Sequence, residues 1–250
     1  MAHFDPAAYG ASGIADEYDE LYAGQWDTEG AVDCIAELAA GGRVLEFGIG
    51  TGRLALPLAE RGLEVHGVDG SPDMVTRLRA KHGGRQVPVV IGDFASVRAG
   101  SDFALVVLAA NTIFALPDQD AQVACFRNAA GHLAPSGLFV IEAWVPDVGA
   151  FRHNRMVRPR IMRPGTVSME TAELDPVAQM MRTTQVVFSD GSVRLYPADH
   201  RYAWPAELDL MAQLAGLRRE SRWEDWRRSP FTAASQAHVS VYRREHHAAA

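Results

Sequence analysis

The stretch from Val44 to Gly52, VLEFGIGTG, sets three glycines into five residues directly after an apolar run. The run reads as a buried strand, and Gly48, Gly50 and Gly52 then carry the chain into a helix. Side chains there would keep a ligand from lying against the backbone and the helix N-terminus; bare glycines leave that room. Twenty-one residues after Gly48, a second apolar run ends in Asp69. A carboxylate at that strand end can accept both hydroxyl protons of a ribose and repels a 2′-phosphate. The spacing is G-x-G-x-G rather than the dinucleotide G-x-G-x-x-G, and no Tyr-x-x-x-Lys pair accompanies it, which counts against a nicotinamide oxidoreductase. A glycine-rich turn that merely lets helix and strand pack closely, with Asp69 as a turn residue, is the competing reading.

Short apolar runs alternate with amphipathic helices as far as about Tyr242, which predicts an α/β fold. Strands are expected at Val44–Phe47, Leu63–Asp69, Val87–Asp93, Phe103–Ala110 and Leu138–Trp144, apolar enough to be covered on both faces. Ser71 caps a helix that starts at Pro72 and stops at Gly83 or Gly84; Asp118 caps another that ends before Pro135 and Gly137. Pro205 opens a third, carrying Leu208, Met211 and Leu214 to Gly216. Pro57 falls inside the helix after the glycine turn, where it is expected to remove a backbone bond and bend the axis. Between Val145 and Trp204 the chain reads as extended segments near Arg158–Met162, Thr166–Ala172, Gln179–Phe188 and Val193–Tyr202, with a hairpin turn at Ser189-Asp190-Gly191-Ser192. This is expected to be an antiparallel insert over the main sheet, which strands near Leu217–Trp223 and His238–Arg243 complete.

The successive segments E46-F-G-I-G-T-G52, V68-D69-G-S-P-D-M74 and G92-D93-F94 resemble the motifs of class I S-adenosylmethionine-dependent methyltransferases, closely from about Tyr18 to Trp144. The resemblance implies a Rossmann-like, doubly wound, seven-stranded, mostly parallel sheet with an antiparallel β insert after strand 5. It divides the chain into an N-terminal helical lid (1–40), a cofactor-binding core (41–144), the insert or cap (145–204) and a C-terminal helix with the last two core strands (205–245). It implies S-adenosyl-L-methionine as cofactor, with Gly48, Gly50 and Gly52 along the methionine part and ribose, Asp69 on the ribose hydroxyls, and Gly70, Ser71 and Met74 beside the adenine. Asp93 then approaches the exocyclic amine and Phe94 covers a ring edge; Tyr22, Glu46 and Ala109 complete the expected cofactor residues. The layout is also similar to that of sugar N-methyltransferases of antibiotic pathways, a likeness of fold that says little of substrate.

A sulfonium methyl needs an in-line nucleophile at ~3 Å and exclusion of water more than it needs a catalytic motif. The acceptor site is expected beyond the ends of the fourth and fifth strands, at Asn111, Thr112, Phe114, Trp144 and Pro146. The segment Ile14–Trp26, IADEYDELYAGQW, resembles the lid of small-molecule members; Tyr18 and Tyr22, four apart, face one way, towards the sulfonium and acceptor or, in the plainer reading, into the core. Tyr18, Asn111 and His200 are the expected catalytic residues; a neutral His200 could take a proton from the acceptor, or be a structural histidine bonded to Asp199 or Tyr202. No His, Cys and Asp cluster has metal spacing, so no metal is expected.

Charge narrows the partners. The net charge of −7 disfavours nucleic acid and anionic membranes, and after the fourth strand Ala110-Asn111-Thr112-Ile113 lacks the Asn/Asp-Pro-Pro-aromatic motif of nucleic-acid methyltransferases. Residues 1–42 hold nine acids and no Lys or Arg, whereas residues 151–164 hold five arginines and no acid; that run is read as a solvated or ion-paired face, or else as a receptor for an anionic acceptor. Cys34 and Cys125 are expected to be buried free thiols, and with no export signal or membrane span legible the setting is expected to be cytoplasmic. The expected partners are a small-molecule acceptor and a second copy in a homodimer. The expected function is methyl transfer to N or O of a small molecule in secondary metabolism; a cofactor-binding cyclase or binding protein of the same fold, without methylation, is the alternative.

Overall fold

The computed structural model describes residues 14–189 and 191–244. The first thirteen residues of the expected lid and Asp190 of the expected turn lie outside the described residues. Strands β1 (Val44–Phe47), β2 (Val65–Asp69), β3 (Val89–Ile91), β4 (Phe103–Leu108) and β5 (Leu133–Trp144) are parallel. Strands β6 (Arg155–Arg163), β7 (Thr166–Asp175), β8 (Met180–Ser189) and β9 (Ser192–Arg201) form a separate antiparallel sheet. β10 (Leu217–Trp223) and β11 (Ala237–Arg244) return antiparallel to the main sheet, whose order is β3-β2-β1-β4-β5-β11-β10. The expected seven-stranded, mostly parallel sheet with an antiparallel insert after strand 5 is therefore present.

Alternation along the strands feeds two apolar layers. Leu45, Phe47, Val106, Leu108, Phe139 and Ile141 pack with α5 (Gln119–His132) and α6 (Pro205–Leu214) on one face. Val44, Leu105, Val107, Leu138 and Val140 pack with α2 (Thr28–Ala39) and α3 (Ala55–Glu60) on the other. α2 is thus a core helix, whereas α1 (Ile14–Leu21) covers the cavity described below. Among the described residues no helix is long and apolar enough to cross a membrane.

Local signals set the helix starts. The Ser71 hydroxyl accepts from the Met74 N–H, with Pro72 first in α4 (Pro72–Ala80), and Asp118 accepts from the Ala121 N–H at 2.8 Å. Three expectations need correction. Pro57 is the third residue of α3, in a first turn whose N–H groups have no intrahelical partner, so it breaks no bond. β5 begins at Leu133, directly after α5, and runs through Pro135 and Gly137; a register shift opposite Phe103/Leu105 absorbs them. Leu214 is 62% exposed and adds nothing to the core.

The insert is pinned where it rejoins the core. Arg201, buried at the end of β9, donates from Nη1 to Gln122 Oε1 of α5 (2.7 Å) and from Nη2 to Glu207 Oε1 of α6 (2.6 Å). A buried charge persists only with such pairing, and this one fixes the insert against two core helices.

Candidate active site

Chain order reverses between β1 and β4, and a cavity of about 670 Å³ opens at the strand ends there. Its floor is the glycine turn. Gly48, Gly50 and Gly52 all have positive φ, and Gly48 and Gly50 line the cavity. A Cβ on Gly50 would meet nothing closer than 3.9 Å, so that face is bare backbone. Gly52 does not line the cavity: a Cβ there would stand 2.3 Å from Leu78 Cδ1, so its bareness serves helix packing.

Asp69 ends β2 at the cavity wall. Its Oδ2 accepts the Gly50 N–H at 2.7 Å and its Oδ1 the Ser71 N–H at 2.8 Å. Burial pushes its carboxyl above the ordinary value, and those two backbone bonds oppose the shift. A carboxylate has about four lone-pair sites, so acceptor capacity remains towards the cavity that Asp69 lines. Gly70, Ser71, Met74 and the buried Phe94 continue this wall.

Glu46, Asp93 and Ala109 do not line it. Glu46 is buried, bonded by the Ala55 N–H at the start of α3; burial raises its carboxyl to about 8, with Arg53 opposing and Asp69 adding. Asp93 is exposed, its Oδ1 accepting the Ala95 N–H at 2.8 Å, and Ala110 rather than the buried Ala109 reaches the cavity.

Ala110 (φ 54°) and Asn111 (φ 63°) are consecutive left-handed residues at the end of β4. Such backbone costs of order 1–3 kcal/mol per residue and persists only where the surroundings impose it. Here Glu142 Oε2 accepts the Ala110 N–H (2.8 Å), the Glu142 carbonyl accepts the Asn111 N–H (3.1 Å), and Asn111 Oδ1 accepts the Trp144 N–H (2.7 Å). The Asn111 amide oxygen is therefore occupied, leaving its NH₂ for the cavity. Thr112 and Trp144 line the cavity; Phe114 is fully buried behind Trp144, at 4.4 Å between rings, and Pro146 is buried away from it.

The roof comes from α1 and the insert. Tyr18 and Tyr22 both line the cavity, their rings 4.7 Å apart, while Leu21 packs on Val187 and Tyr196 of the insert. Asp19 latches the helix to the floor: its Oδ1 accepts the Thr51 hydroxyl (2.6 Å) and its Oδ2 pairs with Lys81 Nζ (2.5 Å). Met156, Arg158, Arg160, Glu170, Met181, Thr183 and His200 face down from the insert. Burial lowers the His200 pKa, with Glu170 and Asp199 opposing, so the neutral imidazole is favoured. No hydrogen bond joins His200 to Asp199 or Tyr202 among the described residues, contrary to the structural reading. Of the expected site residues, the cavity gathers Tyr18, Tyr22, Gly48, Gly50, Asp69, Gly70, Ser71, Met74, Phe94, Asn111 and His200. Glu142 and Glu170 carry no sequence signal of their own; Arg158 and Arg160 carry one only as part of the arginine run.

A doubly wound sheet of this order, with a glycine turn and a strand-end carboxylate at its switch point, defines a nucleoside-binding site of the methyltransferase type. Comparison with known proteins agrees. Residues 44–137 match the model of a methyltransferase domain family. The structure of the CcbJ methyltransferase from Streptomyces caelestis superposes with a TM-score of 0.89 at 40% identity, covering 96% of this chain and 99% of that one. The cypemycin N-terminal methyltransferase of Streptomyces sp. is 28% identical over 247 residues, 96% of this chain and 99% of that protein. S-adenosylmethionine-bound CalS10, an amino pentose methyltransferase from Micromonospora echinaspora, shares the fold at 20% identity (TM-score 0.71; 93% and 97% covered). The chain belongs to the S-adenosylmethionine-dependent methyltransferase family, and its reaction is methyl transfer from that cofactor.

Proposed function

We propose that this methyltransferase acts on a nitrogen of a small molecule in a natural-product pathway, in the cytoplasm and as a homodimer. One observation carries the reading. A single cavity joins the bare glycine turn and Asp69 to an acceptor wall of Trp144, Thr183 and His200, under a roof of α1 and the insert. Its volume suits two small ligands together rather than a polymer. Nitrogen is favoured by the printed names of the relatives, the cypemycin N-terminal enzyme and the amino pentose enzyme among them. The exposed Val157, Met162, Val193 and Leu195 on the insert support the homodimer, which light scattering tests.

The residues fit the cofactor: a Cβ at Gly50 would project into open space, and Asp69 keeps lone pairs for a ribose. In this reading Asp69 holds the ribose hydroxyls, Gly48 and Gly50 pass the methionine part, and Gly70, Ser71, Met74 and Phe94 border the adenine. Tyr18 and Tyr22 cover the sulfonium. Glu46, Gly52 and Asp93 shape these walls without touching the ligand. The bound cofactor supplies an electrophilic methyl group. That methyl would pass to the lone pair of an acceptor amine held against the acceptor wall, and neutral His200 would accept the proton the amine gives up. Asn111 donates to the acceptor.

The test is incubation with S-adenosylmethionine carrying a trideuterated methyl and a panel of small amines and alcohols. Mass spectrometry is expected to find the label on an amine nitrogen. Label on oxygen alone, or no saturable binding of S-adenosylhomocysteine, would overturn the reading.

A further inference from the structure

Methyl transfer as described leaves the arginine run unused, and the five arginines do not behave alike. Arg155 and Arg163 pair with Glu173 (3.1 Å) and Glu20 (3.6 Å), and Arg152 is exposed. Arg158 and Arg160, two apart on β6, are solvent-accessible as well but line the cavity.

One acid faces them. Glu170, cross-strand partner of Arg158, places Oε1 2.7 Å from Arg158 Nη2 and Oε2 3.9 Å from Arg160 Nε. The shorter contact is an ion pair without hydrogen-bond alignment, since Glu170 Oε1 has no hydrogen-bond partner. Neither guanidinium makes a hydrogen bond among the described residues, although each carries five N–H donors. One carboxylate cannot neutralise two guanidiniums. The cavity's other acids do not make up the difference: Asp69 and Glu142 are engaged by N–H donors, and Asp147 is exposed.

We propose that Arg158 and Arg160 form an oxyanion subsite, and that the methyl acceptor carries a carboxylate or phosphate group which docks there. The guanidinium fork matches the planar geometry of such groups bidentately, and a cavity wall screens the charge less than open water does. The inference rests on the reading that the glycine-turn half of the cavity holds the cofactor. The same positive wall, added to the sulfonium, disfavours an ammonium and favours the neutral amine that can attack.

The experiment needs no known acceptor. Wild-type protein saturated with S-adenosylhomocysteine is titrated calorimetrically with sodium malonate and with sodium pyrophosphate at constant ionic strength. Saturable binding of at least one is expected, and the tighter probe tells carboxylate from phosphate. R158A/R160A should weaken it at least tenfold at unchanged affinity for S-adenosylhomocysteine. E170Q should tighten it, because both forks are then unshared; general damage to the roof would move both variants in the same direction. The proposal is overturned if neither probe binds, if R158A/R160A binds as wild type, if E170Q weakens binding, or if the arginine variant loses S-adenosylhomocysteine, which would place the cofactor's own carboxylate there. A wild type that fails to bind S-adenosylhomocysteine would strike the cofactor reading instead, and titration without it then decides the subsite.

Discussion

The Trp226 indole donates a 2.7 Å hydrogen bond to Glu142 Oε1, tying the loop between β10 and β11 to the strand behind the acceptor wall. The other carboxylate oxygen receives the Ala110 N–H at 2.8 Å and so holds the left-handed turn that aims Asn111. Two donors face two acceptor oxygens, an arrangement that glutamine cannot reproduce: its NH₂ must meet one of them. Glu142→Gln is expected to cost about 1–3 kcal/mol of stability and to lower kcat for the acceptor, with S-adenosylhomocysteine affinity unchanged. Adding Trp226→Phe removes one donor and should restore most of both losses. Chemical denaturation and turnover of the double variant check this, and additive losses would refute the coupling.

Asp69 organises the glycine turn whether or not a ribose is present. Asp69→Ala leaves the Gly50 and Ser71 N–H groups without their acceptor and removes the proposed ribose contact. At about 1.5–3 kcal/mol for a charged hydrogen bond, S-adenosylhomocysteine should bind roughly 10- to 150-fold more weakly by calorimetry. Affinity within twofold of wild type would move the ribose elsewhere.

The Asp19 latch closes α1 over the cavity. Its ion pair with Lys81 is half exposed and by itself worth ~0–1 kcal/mol, to which the Thr51 bond adds about 0.5–1.5 kcal/mol. Asp19→Ala should therefore weaken S-adenosylhomocysteine binding by roughly 2- to 70-fold, chiefly through faster dissociation in stopped flow. Loss confined to the association rate would argue against a lid.

His200 is held below its ordinary pKa by burial, so its neutral, basic form is favoured and is lost only on the acid side of the ordinary imidazole range. The kcat profile is expected to fall on that acid side, and His200→Gln should lower kcat by roughly a hundredfold and abolish the limb. An unchanged limb in the variant would remove His200 from proton transfer.

Glu46 makes the fold pH-sensitive. Its carboxyl titrates near 8 when folded, against about 4.3 in an unfolded chain, so the folded state binds more protons between these values. Its stabilising contribution is complete below about pH 4.3 and is lost as pH rises through 8. Glu46→Gln should flatten this slope and be more stable than wild type by a few kcal/mol at pH 9. Melting curves of the ligand-free protein from pH 5 to 9 decide it.

The sequence by itself determined the elements and their order. Strand runs, the Ser71-Pro72 and Asp118 caps, the helix at Pro205 and the spacing from Gly48 to Asp69 are local patterns, because a backbone hydrogen bond or a cap joins residues a few positions apart. That locality made the cavity wall around the glycine turn legible, although Glu46, Gly52, Asp93 and Ala109 fall outside it. What only the tertiary structure decided is which side chains face one another across strands and loops. Glu142 meets Trp226 eighty-four residues on, Asp19 meets Lys81, Gly52 faces Leu78, and two of five arginines line the cavity. Strand pairing and helix packing set those directions. A one-residue change of register would send each strand side chain to the opposite face without altering a letter of the sequence.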